Sequence, residues 1–184
     1  TPLYSSAASD VYKRQAKRAP LRLLAMVRLA LDLGLRVGEI AKLEIGDFDW
    51  RAGTVTLKRT KSQRQDVLPL PVLTGQALAE YMRHERPATT LPSLFVRRLA
   101  PHDKPIGVDA VSQAIGRALR GAGISRGCHS LRHTLACRLV NSGSSIKEVA
   151  DVLRHRSLDT SLIYAKLDLQ LLAEVALPWP GSAS

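Results

Sequence analysis

The pattern of apolar residues in the last third of the chain predicts two consecutive helices. Over residues 129–141 apolar side chains recur at helical spacing, so one stripe of this segment should be buried. Gly143 follows and is expected to end the helix in a left-handed conformation. Ser145 and Glu148 then match a capping box, which indicates the start of a second helix. The two apolar stripes are Leu131, Leu135, Ala136, Leu139 and Val140 in the first helix, and Ile146, Val149, Ala150 and Leu153 in the second.

Earlier segments predict two further helices and a β-hairpin. Residues 20–33 are apolar-rich with helical spacing, and Gly34 is a plausible stop. A short helix with an inward apolar side is expected directly after it. Residues 54–58 alternate as a strand, and residues 66–70 can pair with them. The inward residues of the short helix are Ile40, Leu43 and Ile45.

The middle of the chain predicts two amphipathic helices, over residues 72–86 and 108–119, with a loop rich in Pro and Arg between them. A short helical pattern over residues 166–176 suits docking on a neighbouring protomer and packing within the chain equally well. The whole pattern predicts an α+β domain that is mainly helical, with a small antiparallel hairpin or three-stranded sheet in its first third. The apolar side of the helix over 72–86 comprises Leu73, Ala77, Leu78 and Tyr81.

The length of 184 residues fits one domain with a substantial core. Residues 1–15 show neither periodicity nor a helix cap and are similar to translated cloning sequence, so we expect a non-native or disordered leader there. The domain itself is expected over residues 16–176. Residues 177–184 are rich in Pro and small residues and are expected to form a flexible tail.

The chain is strongly basic, with 27 Lys and Arg against 16 Asp and Glu and a formal net charge of +11. Such an excess predicts attraction to a polyanion, nucleic acid above all, although a ribosome-associated protein or a merely solubilising basic surface explains the charge equally well. Cys128 and Cys137 give no disulfide framework, which favours a reducing cytoplasm. They also lack the partners of a zinc site, and no segment is apolar enough to predict a membrane span.

Several polar residues occur at spacings that point to chemistry. His129 and Arg132 lie at i, i+3 and would share a helix face, and His155 is followed nine residues later by Tyr164. Arg36 and Glu39 have the same i, i+3 spacing where one helix should end and the next begin. By itself, such a pair is an ordinary surface ion pair worth less than about 1 kcal/mol. Its position relative to the later residues makes a shared site the better hypothesis.

These residues follow patterns that identify a family. The chain contains H-x-x-R from His129, then His155 after Leu153, then Tyr164, and upstream it contains G-L-R-x-x-E followed by L-x-x-x-D-F-D. This order resembles the catalytic domain of the tyrosine recombinases, or phage integrases. The resemblance covers about residues 21–168. It departs at Arg154, where the family pattern has Gly before the His, and this puts the local turn in doubt.

The resemblance implies an integrase-like catalytic core and a set of roles. Tyr164 would attack a DNA phosphodiester and become joined to the 3′ phosphate, while Arg36 and Arg132 neutralise the transition state. His155 would add a hydrogen bond to the phosphate, and His129 would exchange the proton of the nucleophile. A lysine of the hairpin would protonate the leaving oxygen. Lys61 is the best match for this lysine and Lys58 the fallback, and Glu39 would orient Arg36 or His129.

Further expectations concern partners. Double-stranded DNA is the implied substrate, with Arg59, Arg64, Arg117 and Arg120 as candidates for contacts with its backbone. The resemblance implies a homotetramer on paired sites, no metal, no other cofactor, no membrane association and a bacterial or phage-derived protein of the cytoplasm. It also implies a preceding core-binding domain, which nothing in this chain matches. A non-catalytic DNA-binding protein of the same fold and a type IB topoisomerase-like enzyme remain as alternatives.

Overall fold

The computed structural model describes residues 20–58, 65–97, 104–124 and 127–154. The chain divides into two compact units, residues 1–135 and 136–184. The helices within the described residues are α1 (Leu21–Asp32), α2 (Val37–Lys42), α3 (Val72–His84), α4 (Val108–Gly121), α5 (His129–Asn141) and α6 (Ile146–Leu153). The strands are β1 (Phe48–Asp49), β2 (Thr54–Lys58) and β3 (Gln65–Pro69), and a 3₁₀ turn spans Ile45–Asp47.

In the first unit, helices surround α1. This helix packs against α3, α4 and α2, and α2 also packs against α4. Seven consecutive residues of α1, Ala25 to Leu31, are buried, so α1 is the central helix of the unit. Gly34 has φ +60° and ends the helical segment as predicted. Six of these seven residues are apolar, all except Arg28, and removal of their side chains from water is the main stabilising contribution to this unit.

The predicted hairpin is part of a three-stranded antiparallel sheet with the order β1-β2-β3. Its ladder runs from Thr54 opposite Pro69 to Lys58 opposite Gln65. Strand β3 therefore begins at Gln65, one residue earlier than expected. Asp49 accepts hydrogen bonds from the backbone N–H groups of Arg51 (3.0 Å) and Ala52 (2.8 Å) and so stabilises the turn between β1 and β2. A mainly helical α+β domain with a small antiparallel sheet is confirmed.

One assignment of the apolar face of α3 was wrong. Leu73 is 55% exposed, whereas Thr74 is fully buried. The buried positions of α3 are Thr74, Ala77, Leu78 and Tyr81, which follow the i, i+3, i+4, i+7 rule and exclude position 73. The Thr74 hydroxyl donates a hydrogen bond to Asp32 Oδ2 (2.7 Å), and Asp32 also pairs with Arg28 (3.0 Å). This bonded polar group takes the place that hydrophobicity alone assigned to Leu73.

The described part of the second unit contains the end of α5 and all of α6. Gly143 has φ +89° in the connecting turn, as predicted. The predicted capping box is present: the Glu148 N–H donates to Ser145 Oγ (3.2 Å), and the Ser145 N–H donates to Glu148 Oε2 (2.7 Å). The buried residues of α6 are Val149, Ala150 and Leu153. Helix α6 thus follows its local sequence signals closely.

Arg154 ends α6 in a left-handed conformation with φ 54° and ψ 47°. Its N–H donates to the Asp151 carbonyl (3.0 Å). Left-handed residues after a helix are usually Gly, and a residue with a Cβ costs about 1–2 kcal/mol there. The turn therefore keeps the backbone conformation expected of Gly even though Arg occupies the position.

The capping box makes the ionisation of Glu148 sensitive to Ser145. Hydrogen bonds from the Ser145 backbone N–H and then from its hydroxyl lower the pKa of Glu148 below its ordinary value. Replacing Ser145 with Ala removes the hydroxyl only, so we expect the pKa of Glu148 to rise and yet remain below its ordinary value. Because the folded pKa is the lower one, the stabilisation is present above the unfolded pKa and is lost as pH falls through the folded pKa.

An NMR titration of the Glu148 carboxyl in both proteins measures this effect. Ser142→Ala is the matched control, since the Ser142 hydroxyl donates to the Leu139 carbonyl (2.8 Å). An unchanged pKa of Glu148 in Ser145→Ala would show that the hydroxyl does not stabilise the carboxylate.

Candidate active site

The connection between α1 and α2 presents Arg36. This residue is the N-cap of α2, and Glu39 lies in the first turn of the same helix. Glu39 Oε2 accepts the Arg36 N–H (2.8 Å), and Glu39 Oε1 accepts Arg36 Nη1 (3.0 Å). Of the two residues that Glu39 was expected to orient, it thus contacts Arg36. The Arg36 side chain is 42% exposed, so a ligand can reach its guanidinium.

Helix α5 brings Arg132 to the same connection. Arg132 is only 7% exposed, and its Nη1 donates a hydrogen bond to the Gly34 carbonyl oxygen. A buried guanidinium requires such bonded partners because desolvating an unbonded charge is costly. Gly34 precedes Arg36 by two residues, so this bond joins the start of α5 to the turn that carries Arg36.

Arg36, His129 and Arg132 line one pocket in the first unit. Two arginines, whose guanidinium groups stay charged at all physiological pH values, therefore line the same pocket. The other lining residues add no carboxylate. They are Ala30, Leu35, Val37 and Cys128. A pocket with two fixed cations and apolar walls is suited to bind an anion such as a phosphodiester, because low polarity strengthens each charge–charge interaction.

Cys128 is a pocket residue that the sequence analysis did not select. Its thiol donates a hydrogen bond to the Ser112 carbonyl (3.4 Å) on α4, which fixes the residue directly before α5. Within the described residues, no group of three or more His, Cys, Asp and Glu side chains is arranged to hold a metal ion. In the sequence, only the position of Cys128 next to His129 could have indicated that it lines the pocket. The i, i+3 spacing used to select candidate residues does not include such a neighbour.

The profile of the phage integrase family matches residues 4–170. The chain belongs to the phage integrase family. All of the described residues lie in this range, including those that line the pocket. The match begins inside the segment 1–15 that was expected to be a leader, and that expectation stays a prediction.

Known family members agree with this assignment. "Putative integrase/recombinase y4gC" of Sinorhizobium fredii is 37% identical over 173 residues, which cover 92% of this chain and 88% of that protein. "Putative integrase/recombinase y4rF" of the same organism is 40% identical over 164 residues, covering 87% of this chain but 39% of that protein. The chain thus spans about two fifths of the length of this longer relative.

Solved structures show the same fold. XerH recombinase bound to its palindromic difH substrate superposes with a TM-score of 0.77 at 24% identity, over 96% of this chain and 51% of that one. The integrase of mycobacterium phage Brujita gives a TM-score of 0.64 at 28% identity, over 81% of this chain and 48% of that one. The pocket therefore lies in a fold that phage integrases and recombinases share.

The remaining predicted site residues of this phage integrase family member are placed as follows. Lys58, the fallback lysine, contacts Glu44 and Asp47, and Arg117 and Arg120 are exposed on α4. The other predicted residues lie outside the described part of the chain: Arg59, Lys61, Arg64, His155 and Tyr164.

Among the described residues, no helix is long and apolar enough to cross a membrane.

Proposed function

We propose that the chain is the catalytic domain of a site-specific recombinase that cleaves and rejoins DNA through a 3′-phosphotyrosine intermediate. The observation that carries this proposal is the shared pocket of Arg36, His129 and Arg132. Membership of the phage integrase family supports it, because the relatives are named integrases and tyrosine recombinases. The pocket supplies the anion-binding half of the reaction, and Tyr164 supplies the nucleophile.

The reaction is a balanced exchange of two phosphate esters. The Tyr164 oxygen forms a bond to phosphorus, and the bond from phosphorus to the 5′ oxygen breaks. The Tyr164 proton passes to His129, and Lys61 gives a proton to the departing 5′ oxygen. Rejoining reverses these steps with a new 5′ hydroxyl. The energy of the broken linkage is kept in the phosphotyrosine, so the scheme needs neither ATP nor a metal.

The two arginines lower the free energy of the negatively charged transition state, which offsets the weak acidity of the attacking phenol. A phenol with a pKa near 10 is about 0.1% ionised at pH 7, which is a deficit of roughly 4 kcal/mol. The transition state also gathers negative charge on the non-bridging oxygens. Guanidinium groups at fixed positions stabilise that charge by about 3 kcal/mol each, as preorganised donors do in other enzymes. His155 adds another hydrogen bond to the phosphate.

The contacts of Lys58 favour Lys61 as the proton donor. Hydrogen bonds to Glu44 and then to Asp47 raise the pKa of Lys58 above its ordinary value. A general acid works best when its pKa lies near the working pH, so this shift makes Lys58 a poorer proton donor.

Double-stranded DNA is the proposed substrate, and four protomers on two duplexes are the proposed active assembly, in the cytoplasm. XerH bound to difH and a lambda integrase dimer bound to a COC′ core site are structural neighbours that hold DNA. The exposed Arg117 and Arg120 on α4 are proposed to contact backbone phosphates, together with Arg59 and Arg64. Such contacts predict that affinity falls steeply as the salt concentration rises.

The proposed function is tested by incubating the chain with a library of nicked duplexes and recovering denaturant-resistant protein–DNA complexes. A nick beside the cleavage site lets the leaving fragment diffuse away, so the covalent intermediate accumulates. Adducts that form in EDTA at defined sequences support the proposal. Duplexes that are bound without any adduct would indicate a non-catalytic DNA-binding protein. Relaxation of supercoiled DNA without a defined site would indicate a topoisomerase.

Replacing Glu39 with Gln is expected to slow adduct formation by about tenfold while DNA affinity changes little, because small displacements of a catalytic group cost that much or more. Glu39 holds both the backbone and the guanidinium of Arg36. Glu80→Gln is the matched control, since it removes an exposed carboxylate that pairs only with His84 on α3 (3.5 Å) among the described ion pairs. Equal rates in the two variants would show that Glu39 does not position Arg36 for catalysis.

A further inference from the structure

The root of the β2–β3 hairpin is held by an ion-pair cluster that the proposed mechanism does not use. Lys58 Nζ lies 2.8 Å from Glu44 Oε2 and 2.9 Å from Asp47 Oδ1. Lys58 is the last residue of β2, and its ladder partner Gln65 is the first residue of β3. The cluster thus lies at the final described rung before residues 59–64, which are outside the described part of the chain and contain Lys61.

Burial of Asp47 makes this cluster different from an ordinary surface ion pair. The Asp47 side chain is 5% exposed, whereas those of Lys58 and Glu44 are 59% and 41% exposed. Asp47 Oδ2 accepts the Glu44 N–H (2.8 Å), and Lys58 is the cation beside Oδ1 among the described residues. Removing the partner of a buried carboxylate is costly, since the charge is then left uncompensated. Lys58 is therefore held in one position despite its exposure.

The same carboxylates connect the hairpin to the helix that carries Arg36. Glu44 is the N-cap of the 3₁₀ turn Ile45–Asp47 and Asp47 is its last residue, and this turn begins three residues after the end of α2. Arg36 is the N-cap of α2. Only α2 and the start of the 3₁₀ turn therefore lie between Arg36, the proposed phosphate-binding residue, and the two carboxylates that hold Lys58.

We propose that Lys58 is a positioning residue that fixes the hairpin root to the turn after α2, and thereby sets the reach of Lys61 toward the leaving oxygen. This inference rests on the proposed function, because it assigns Lys58 to the same strand-cleavage step. Lys58 does not donate the proton itself. Its ammonium acts through Glu44 and Asp47 and through strand β2, which leads to residues 59–64.

The test compares cleavage of an ordinary substrate with that of a 5′-bridging phosphorothiolate, in which sulfur replaces the leaving oxygen. A thiolate leaves without protonation because a thiol has a pKa of about 8.5. The measured ratio is the cleavage rate of the phosphorothiolate divided by that of the ordinary substrate. This ratio rises when the proton donor is lost or misplaced, because only the ordinary substrate is then slowed. A merely structural defect lowers both rates together and leaves the ratio unchanged.

Lys58→Met is expected to raise this ratio by about tenfold over the unmodified chain, and Lys61→Met by about 10² or more, the range of general acid catalysis. Lys58→Arg should return the ratio to that of the unmodified chain because it keeps the ion pairs. An arginine does not donate its proton, so this variant separates the positioning role from proton donation. Lys42→Met removes an exposed lysine from the end of α2 and is the matched control. Should Lys58→Met fail to fold, Glu44→Gln breaks one of the two ion pairs and is expected to raise the ratio in the same direction.

The outcomes separate the inference from the proposed function. A ratio for Lys58→Met equal to that of Lys42→Met, with Lys61→Met raised, would overturn the positioning role alone. Ratios raised equally in Lys58→Met and Lys58→Arg would make Lys58 the proton donor and also overturn it. An unmodified chain that cleaves neither substrate contradicts the proposed function itself.

Discussion

Replacing Tyr164 with Phe is expected to abolish the covalent protein–DNA complex while DNA affinity stays within about twofold, since phosphate contacts dominate affinity. The substitution removes one hydroxyl and keeps the aromatic ring. Without that oxygen, no bond to phosphorus can form, and the pocket that contains Arg36 and Arg132 can bind the phosphate but not cleave it. The adduct on a nicked duplex, measured beside binding to an uncleavable duplex, reports the two properties separately.

Tyr12→Phe is the matched control for this experiment, because it makes the same chemical change in the segment 1–15 that is expected to be a leader. It should form the adduct at the rate of the unmodified chain. Persistence of the adduct in Tyr164→Phe would mean that another residue is the nucleophile. A parallel loss of binding would mean that Tyr164 contributes to the DNA-binding surface instead.

Replacing Arg132 with Ala is expected to slow adduct formation by about 10²–10³, the cost of removing one preorganised donor from a transition state. Arg132 is buried and bonded to the Gly34 carbonyl, so its guanidinium has a fixed orientation in the pocket. Arg132→Lys keeps the charge but loses the planar fork that binds two oxygens, and it should recover only a small part of the rate. Single-turnover cleavage with saturating protein measures the chemical step directly.

A matched control separates the local role of Arg132 from the loss of one positive charge. Arg138 lies on the same helix and is exposed, so Arg138→Ala lowers the net charge equally and should leave cleavage nearly unchanged. Thermal unfolding of each variant shows how much stability the Arg132 contact contributes. Equal cleavage rates in Arg132→Ala and Arg138→Ala would show that Arg132 does not contribute to catalysis.

Arg36 and Arg132 are expected to act on one phosphate, and a double-mutant cycle tests this. Side chains that serve the same reacting group are strongly non-additive, so the double Ala variant should lose much less than the product of the two single losses. Strict additivity would indicate that the two arginines contact different groups.

Local features of the fold were predictable because short-range signals determine them. The limits of α5 match the segment 129–141 predicted from apolar spacing. The capping box of Ser145 and Glu148 and the left-handed Gly34 and Gly143 also follow from residues within one or two helical turns. Hydrogen bonding at helix ends depends on few neighbours, and so the sequence pattern contains most of the required information.

Contacts between distant segments were not predictable from the same signals. Arg132 bonds to Gly34 across 98 positions, and Lys58 pairs with the buried carboxylate of Asp47. Leu73 was placed in the core because its apolarity was known and the bonded partner of Thr74 was not. Such pairings depend on how elements pack, which spacing within one element does not encode.

The attack of Tyr164 on the phosphate that Arg36 and Arg132 hold is the step on which the proposed function depends. It is tested most directly by digesting the trapped adduct and identifying by mass spectrometry both the modified residue and the DNA end attached to it. We expect a nucleotide joined through its 3′ phosphate to Tyr164, with a free 5′ hydroxyl on the released strand. Attachment at any other residue, or through a 5′ phosphate, would contradict it.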